Sequence, residues 1–281
     1  MSIATAITAA QTKVANAYTA VNSKGGTLPA TQNLTNLPTA INSIPSGSGS
    51  STKYGVNMDN ILGDVNASGV IQKPTGQADI VFTGVQDVSN MGLSYAFYGK
   101  SSVKTLTFPN LTQISGSSGL SSMFTSCTSL TSASFPELTT ISGANAFMQT
   151  FYGCTALTSV SFSKLATLSN SGAYSYALYQ TFQGCTNLTS VSFPELTTIS
   201  GGQALSSCFY GCTKLASISF PKLTTISNNT AFGNSTYNYM FYNCTALRQI
   251  HFKSTASSAV MATSGYSTKW GATNATIYFD L

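Results

Sequence analysis

One unit recurs six times between residues 93 and 253 and constrains the fold more than any other feature of the chain. Each unit reads approximately F-x-x-C-T-x-L-x-x-[VI]-x-F-P-x-L-x-x-I-S, and successive initial phenylalanines are 27, 27, 31, 27 and 32 residues apart. These phenylalanines are Phe97, Phe124, Phe151, Phe182, Phe209 and Phe241. A unit of this length cannot bury its apolar side alone, so consecutive units stack and share one core. The repeat predicts a solenoid of about six rungs.

The pattern inside each unit predicts its secondary structure. In the third unit, Val160 and Phe162 alternate with Ser159 and Ser161, which indicates a short strand with one buried face. The following F-P-x-L-x-x-I-S predicts an extended return. Upstream, an apolar residue precedes each initial phenylalanine by four positions, the spacing of one helical face, which predicts a short helix. These upstream residues are Leu93, Leu120, Phe147, Leu178, Leu205 and Tyr237.

Five cysteines occupy the same position in five of the units, where the first unit has Lys100. They are Cys127, Cys154, Cys185, Cys212 and Cys244. We expect a buried structural ladder of reduced thiols, because cysteine behaves as a small hydrophobic residue with a weak donor. Partial disulfides and thiol chemistry remain open at this stage. Cys208 lies in a different column and forms no second ligand pair with Cys212, so no metal site is expected.

The charge pattern excludes several classes of function. Only 7% of the residues are charged, and the 12 basic residues are scattered singly, so no nucleic-acid partner is expected. No run of 18 apolar residues is present, which excludes a membrane span at the level of sequence. The sole histidine, His251, is interpreted as a solvated surface residue without an orienting carboxylate. We find no catalytic grouping and no cofactor motif, so no enzyme activity is expected.

One position in five successive units carries charges of alternating sign after an uncharged first residue. The residues of this column are Asn110, Glu137, Lys164, Glu195 and Lys222. Opposite charges on neighbouring rungs attract, so the column is interpreted as a device that fixes register.

The segment 63–71 allows two interpretations. Asp64, Asn66, Ser68 and Gly69 match the first half of a calcium-binding loop, but Thr75 stands where a bidentate Glu is needed. A plain turn between two strands is the alternative.

Residues 93–253 resemble the BspA-type leucine-rich repeat, whose pattern runs close to A-F-x-G-C-x-x-L-x-x-I-x-[FIL]-P-x-x-L-x-x-I. The match is carried by AFYG at 96–99, FYGCTAL at 151–157 and FYGCTKL at 209–215. These units are longer than the usual repeat of that family. The resemblance implies a leucine-rich-repeat solenoid and extracellular adhesion or surface recognition.

Residues 1–45 form a separate N-terminal helical segment with a heptad pattern of apolar residues, typical of an association helix. This segment is also similar to the N-terminal part of tail or surface proteins of Gram-positive phages and prophages. Residues 46–52 read as a flexible linker, 53–92 as an N-terminal cap, 93–253 as the repeats and 254–281 as a C-terminal cap with a strand.

We therefore interpret the chain as a non-enzymatic phage virion protein, made in the host cytoplasm and released by lysis. The solenoid would attach to a glycan or protein of a host or mucosal surface, and residues 1–45 would bind other virion proteins and further copies of the chain. A secreted bacterial surface adhesin and a structural spacer without a ligand are the alternatives.

Ligand recognition is expected at the two long rungs, where insertions at 169–180 and 227–239 bring tyrosines among Ser, Gly and Asn. Tyrosine in such a setting provides contact area at a low entropic cost. The candidate residues are Tyr174, Tyr176, Tyr179, Phe232 and Tyr239. Burial of tyrosines such as Tyr237 in the core is the alternative for this region.

Overall fold

The computed structural model describes residues 78–82, 85, 87–88, 93–169 and 176–281. The chain divides into two compact units, 1–52 and 53–281, and all described residues belong to the second. The predicted association helix, the linker and the two interpretations of 63–71 therefore lie outside the described residues.

Among the described residues, eight parallel strands form one long side of the solenoid, which we call the strand face. They are β1 (Ala78–Val81), β2 (Val103–Thr107), β4 (Ser132–Ser134), β6 (Ser159–Ser161), β8 (Ser190–Ser192), β10 (Ser217–Phe220), β12 (Gln249–Phe252) and β13 (Thr276–Phe279). Five of them form a sheet in the order β1-β2-β4-β6-β8, and three form a second sheet in the order β10-β12-β13. The register places equivalent residues side by side, as with Val160 and Val191. The strand predicted in each unit is confirmed.

The extended returns form a third parallel sheet along another side. Its strands are β3 (Gln113–Ile114), β5 (Thr140–Ile141), β7 (Thr167–Leu168), β9 (Thr198–Ile199) and β11 (Thr225–Ile226). Each strand contributes only two residues, and one points an apolar side chain inward, as Ile141 does. The sequence order of these strands matches their order in space, so every rung lies next to its neighbours in the sequence.

The third side of each rung is built from turns, and the prediction of a short helix there was wrong. In the second unit, Ser118, Ser122 and Ser126 all have positive φ, at 62°, 54° and 60°. Left-handed residues at every fourth position reverse the chain direction before an α-helical turn can close. Alternate amides instead donate to the next rung, as from the amide of Phe124 to the carbonyl of Thr150 at 2.9 Å.

The left-handed backbone conformation explains why many of these positions on the turn side hold a glycine or a polar residue. Gly153, Gly184 and Gly211 have φ of 68°, 74° and 73° at one of these positions. Glycine adopts this conformation without a steric penalty, whereas other residues pay for it. The apolar residues at a spacing of four still face the core, but they do so through turns.

Two columns of phenylalanine rings form the centre of the core. One column contains Phe97, Phe124, Phe151, Phe182, Phe209 and Phe241, with stacked rings 5.2–5.9 Å apart. The other contains Phe82, Phe108, Phe135, Phe162, Phe193, Phe220 and Phe252. All are buried. The continuous core expected from the repeat is confirmed.

After the last repeat the chain forms short helices and one strand. A 3-10 turn at Ser254–Ala256 leads into α1 (Ser257–Met261), and a 3-10 segment follows at Tyr266–Gly271. Trp270 of this segment is fully buried and packs edge-on against Phe252. The strand expected in 254–281 is β13, which pairs with β12.

Candidate functional site

The five cysteines of the column are buried and carry free thiols, as does Cys208. Each column thiol donates to the carbonyl of the initial phenylalanine one rung earlier, for example from Cys154 Sγ to Phe124 O at 3.0 Å. Burial raises the pKa of Cys127 from an ordinary value of 9.0 to about 12, and that of Cys244 also to about 12. These thiols are neutral hydrogen-bond donors of the core and offer no accessible thiolate.

Threonines make equivalent links between rungs at the surface. Thr131 Oγ1 donates to Lys104 O, Thr158 Oγ1 to Thr131 O, and Thr189 Oγ1 to Thr158 O, each at 3.1 Å. We call this column the threonine ladder. It explains part of the Ser and Thr content as structural hydrogen bonding between rungs.

The alternating charge column forms ion pairs between adjacent rungs. Lys164 Nζ lies 2.6 Å from Glu137 Oε2, and Lys222 Nζ lies 2.7 Å from Glu195 Oε1. The side chains remain about half exposed, so each pair contributes at most about 1 kcal/mol. The expected structural role is consistent with this geometry.

Three tyrosines of the first long rung were predicted to contact a ligand, and the structure describes two of them. Tyr174 lies outside the described residues. Tyr176 and Tyr179 are half-buried, and their rings meet edge-on with centroids 4.9 Å apart. Burial, and to a smaller extent the nearby Tyr176 hydroxyl, raises the pKa of Tyr179. One rigid aromatic pair is thus available at this rung.

In the second long rung, one residue predicted at the surface is buried, and one residue predicted in the core is exposed. Phe232 is fully buried against Trp270, with ring centroids 4.9 Å apart, so it is not available to a ligand. Tyr237, expected in the apolar column, is 87% exposed. The insertion shifts the frame, because the amide of Leu205 donates to the carbonyl of Ala231 and so aligns Leu205 with Phe232. Tyr239 is half-buried against the core.

The loop that carries Tyr237 is held in place by Asn238. Asn238 Oδ1 accepts from the amides of Asn234 and Ser235 at 3.0 and 2.8 Å, and Asn238 Nδ2 donates to Asn234 Oδ1 at 2.9 Å. The carbonyl of Asn238 accepts from the Ser206 hydroxyl at 2.8 Å. A fixed loop therefore presents Tyr237 to solvent. We call Tyr176, Tyr179, Tyr237 and Tyr239 the long-rung tyrosines.

His251 does have an orienting carboxylate, so its interpretation as a lone histidine was wrong. His251 Nδ1 lies 2.9 Å from Asp280 Oδ1, and the ring stacks on Tyr278 with centroids 4.7 Å apart. Asp280 is 29 residues away in sequence, and β13 brings it beside β12. The imidazole is thus held in one orientation and its Nε2 atom is left unbonded within the described residues.

A shallow groove of about 420 Å³ lies beside His251 on the strand face. Its lining residues are Ser190, Val191, Ser192, Ser217, Ile218, Ser219, Pro221, Gln249, His251 and Leu281. Apart from the histidine, every polar side chain in it is neutral. Sequence reasoning did not single out this groove, because its lining comes from three consecutive rungs that meet only when strands β8, β10 and β12 lie side by side.

The described residues show little that supports covalent chemistry. His251 makes no hydrogen bond to a serine in this part of the chain, so no hydroxyl is activated there. Within the same residues, no group of three His, Cys, Asp or Glu side chains is arranged to hold a metal ion. No helix among them is long and apolar enough to span a membrane.

The fold defines the class of the protein: a parallel β-solenoid whose rungs are leucine-rich repeats. The family model of the BspA type leucine rich repeat region matches residues 93–237 in six copies, just over half of the chain. The chain therefore belongs to the BspA-type leucine-rich repeat family. The comparison with curated proteins finds no match.

Two solved structures are similar to this chain in fold. A leucine rich cell surface protein from Faecalibacterium prausnitzii A2-165 is 24% identical, with a TM-score of 0.36, over 64% of this chain and 37% of that one. A leucine rich repeat protein of T. pallidum is 18% identical, with a TM-score of 0.35, over 73% of this chain and 70% of that one. The chain thus spans about 37% of the length of the first.

Proposed function

We propose that this chain is a non-enzymatic recognition protein of the bacterial cell surface, which attaches to a glycan or protein through the long-rung tyrosines. Membership of the BspA-type family supports a surface or adhesion-type role. The observation that carries the proposal is Tyr237, which is 87% exposed on a loop that Asn238 holds in place. A large aromatic side chain on a pre-organised loop binds with little loss of conformational entropy.

The chemistry of the described surface favours binding over catalysis. The repeats contain six cysteines as potential nucleophiles, and burial raises the thiol pKa of all six. The acidic residues of the repeats are engaged in ion pairs between rungs, as Glu137 is with Lys164. The side chains left to contact a partner are tyrosines, hydroxyls and amides.

A role on a phage particle is a narrower version of the same proposal. It depends on residues 1–45, which lie outside the described residues, and no comparison supports it. The cell-surface role takes precedence for this reason. Assembly of several copies through residues 1–45 is a further prediction of the sequence.

The replacement Tyr237→Ser tests the proposal in the full chain. Binding of the purified protein to immobilised mucin and to cultured epithelial cells is measured, with Tyr98→Ser as the matched control. Tyr98 is also an exposed turn-side tyrosine, at 52%, but it belongs to the first rung. We expect Tyr237→Ser to weaken attachment at least tenfold and Tyr98→Ser to leave it unchanged. Both should change the free energy of unfolding by less than about 0.5 kcal/mol.

Two results would contradict the proposal. One is a native chain that binds neither surface, and the other is attachment that survives Tyr237→Ser. Binding to bacterial cells in place of mucin and epithelial cells would favour the phage-particle role.

A further inference from the structure

Within the described part of the chain, the ladder of strands along the strand face is interrupted once, between the fourth and fifth rungs. β8 is the last strand of one sheet and β10 is the first strand of the next, so no backbone pairs join them. On the return side, β9 and β11 of the same two rungs remain paired, with Thr198 beside Thr225. On the turn side, the amide of Phe182 still donates to the carbonyl of Cys208 at 2.9 Å. The opening is therefore confined to the strand face.

The threonine ladder also ends at this rung. Ala216 stands where the preceding rungs have Thr131, Thr158 and Thr189. Those amides and hydroxyls donate to the carbonyl one rung earlier, as Thr189 does to Thr158. Ala216 has no hydroxyl, and its amide makes no bond to Thr189 in the described structure. The threonine ladder thus ends where the strand ladder opens. A missing hydroxyl alone does not open the strand ladder, because Arg248 at the same position of the next rung keeps its amide bond to Ala216 at 2.9 Å.

The groove of about 420 Å³ lies across this interruption. Its floor is formed by β8 and β10, whose facing backbone groups do not pair with each other. The side chains of Ser192, Ser219 and Gln249 make no hydrogen bond within the described residues. Unlike the ladder threonines, these groups keep their full capacity to bind a molecule from solution.

A flat ring forms one wall of the groove. The outward column that contributes Ser161, Ser192 and Ser219 continues with His251 and then Tyr278. Tyr278 covers one face of the imidazole, and Asp280 binds Nδ1. The opposite face of the imidazole is turned away from Tyr278, towards the neighbouring Ser219 of the column.

We propose that this groove binds a neutral saccharide of one or two rings. Sugar hydroxyls match a lining of unbonded hydroxyls, an amide and backbone groups, because all of these donate and accept. The apolar face of a sugar ring matches the open face of His251 and the side chains of Pro221 and Leu281. The site is distinct from the long-rung tyrosines, so it goes beyond the attachment proposed above.

Other ligand classes fit the groove less well. No Lys or Arg lines it, so an anionic sugar or a phosphate would lack a counter-charge. An inserted peptide strand would need its neighbours roughly 9.6 Å apart, twice the usual spacing. Cα atoms of β8 and β10 lie within 8 Å of each other, so a strand cannot enter between them.

The test compares the full chain with two variants on an array of immobilised saccharides. The array carries neutral hexose and N-acetylhexosamine mono- and disaccharides, with sialylated and sulfated forms alongside. Ser219→Gln fills the groove with a longer side chain. Ser161→Gln makes the same change in the same column two rungs away, outside the groove. Thermal unfolding of each variant verifies that the fold is retained.

We expect the native chain and Ser161→Gln to bind neutral saccharides, and Ser219→Gln to bind them at least tenfold more weakly. Asp280→Ala should weaken binding severalfold at an unchanged melting temperature, because it removes the oxygens that hold Nδ1 and so releases the imidazole. The proposal is overturned if no saccharide binds, if only sialylated or sulfated forms bind, or if Ser219→Gln binds as well as the native chain. Tyr237→Ser should leave saccharide binding intact, which separates this site from attachment through the tyrosines.

Discussion

At the scale of single residues, thiols and hydroxyls perform the same structural task in different surroundings. In the core, Cys185 Sγ donates to Phe151 O at 3.1 Å, and at the surface Thr158 Oγ1 donates to Thr131 O at the same distance. The Phe151 carbonyl also accepts from the amide of Cys154 at 3.1 Å, so the thiol is its second donor and contributes about 0.5–1.5 kcal/mol. Cysteine suits the buried position because the rest of its surface is apolar.

The buried thiols make the stability of the solenoid sensitive to alkaline pH. Cys244 has a pKa of about 12 in the folded chain and 9.0 as its ordinary value. Above pH 9 the unfolded chain releases thiol protons that the folded chain retains, so the free energy of unfolding falls. The expected slope is about 1.4 kcal/mol per pH unit for each thiol, and stability below pH 9 is unaffected by this effect.

Urea unfolding between pH 8 and pH 11 checks this prediction, with Cys244→Ala as the comparison. Tyrosine and lysine titrate in the same range, but they are common to both chains. The variant should lose stability less steeply with pH, by the contribution of one thiol. Equal slopes in the two chains would show that the Cys244 thiol ionises in the folded state.

The environment of single residues was predicted correctly from the sequence where every rung places equivalent residues in the same surroundings. The cysteines share one column in five rungs, and one environment serves all of them. Tyr237 and Phe232 were assigned to the wrong sides because an insertion of five residues changes the count from the initial phenylalanine. His251 was misread because its partner Asp280 is brought close by strand pairing and not by local sequence.

At the scale of elements, the spacing of four residues before each initial phenylalanine did not distinguish a helix from successive turns. Both bring Leu120 and Phe124 to one side. The positive φ of Ser122 decides between them, and a sequence with serine at that position gives no signal of it. Strands were predicted correctly because an alternation of period two has no such competitor.

One substitution should strengthen the link between the rungs of β8 and β10. Ala216→Thr supplies the hydroxyl that the ladder lacks, and it should donate to the carbonyl of Thr189 as Thr189 does to Thr158. We expect a gain of about 0.5–1.5 kcal/mol in the free energy of unfolding. Amide hydrogen exchange at Ser190–Ser192 should also slow as the groove narrows.

A β-branched residue without a hydroxyl at the same position provides the control for this change. Ala216→Val adds nearly the same shape and strand preference as Ala216→Thr, but it supplies no donor for the carbonyl of Thr189. A stabilisation that is equal in both variants would attribute the gain to strand propensity. The ladder account would then be wrong.

At the scale of the whole molecule, the columns of stacked rings make each rung depend on its two neighbours. Phe162 contacts Phe135 and Phe193 at 5.3 and 5.5 Å. Phe279 of β13 stacks on Phe252 alone within the described residues, at 6.0 Å. Stability in such an array is approximately the sum of rung energies and interfaces between adjacent rungs.

We therefore expect the same substitution to act differently along the solenoid. Phe162→Ala should lower the free energy of unfolding by about 3–5 kcal/mol and accelerate hydrogen exchange in the rungs on both sides. Phe279→Ala should cost less and expose mainly β13. Hydrogen exchange with mass spectrometry distinguishes the two patterns. A uniform acceleration across all rungs in the Phe279→Ala protein would mean that the array unfolds as one unit.

The unbonded serines of the strand face have a consequence for how such a chain evolves. Ser134, Ser161 and Ser192 point outward and make no side-chain hydrogen bond in the described structure, while the bonds between rungs are made by the backbone and by other columns. Substitutions in this column therefore leave the scaffold energy almost unchanged. Lineages could diversify the displayed surface residue by residue without a compensating change in the interior, so selection for a new ligand and selection for folding act on separate sets of positions.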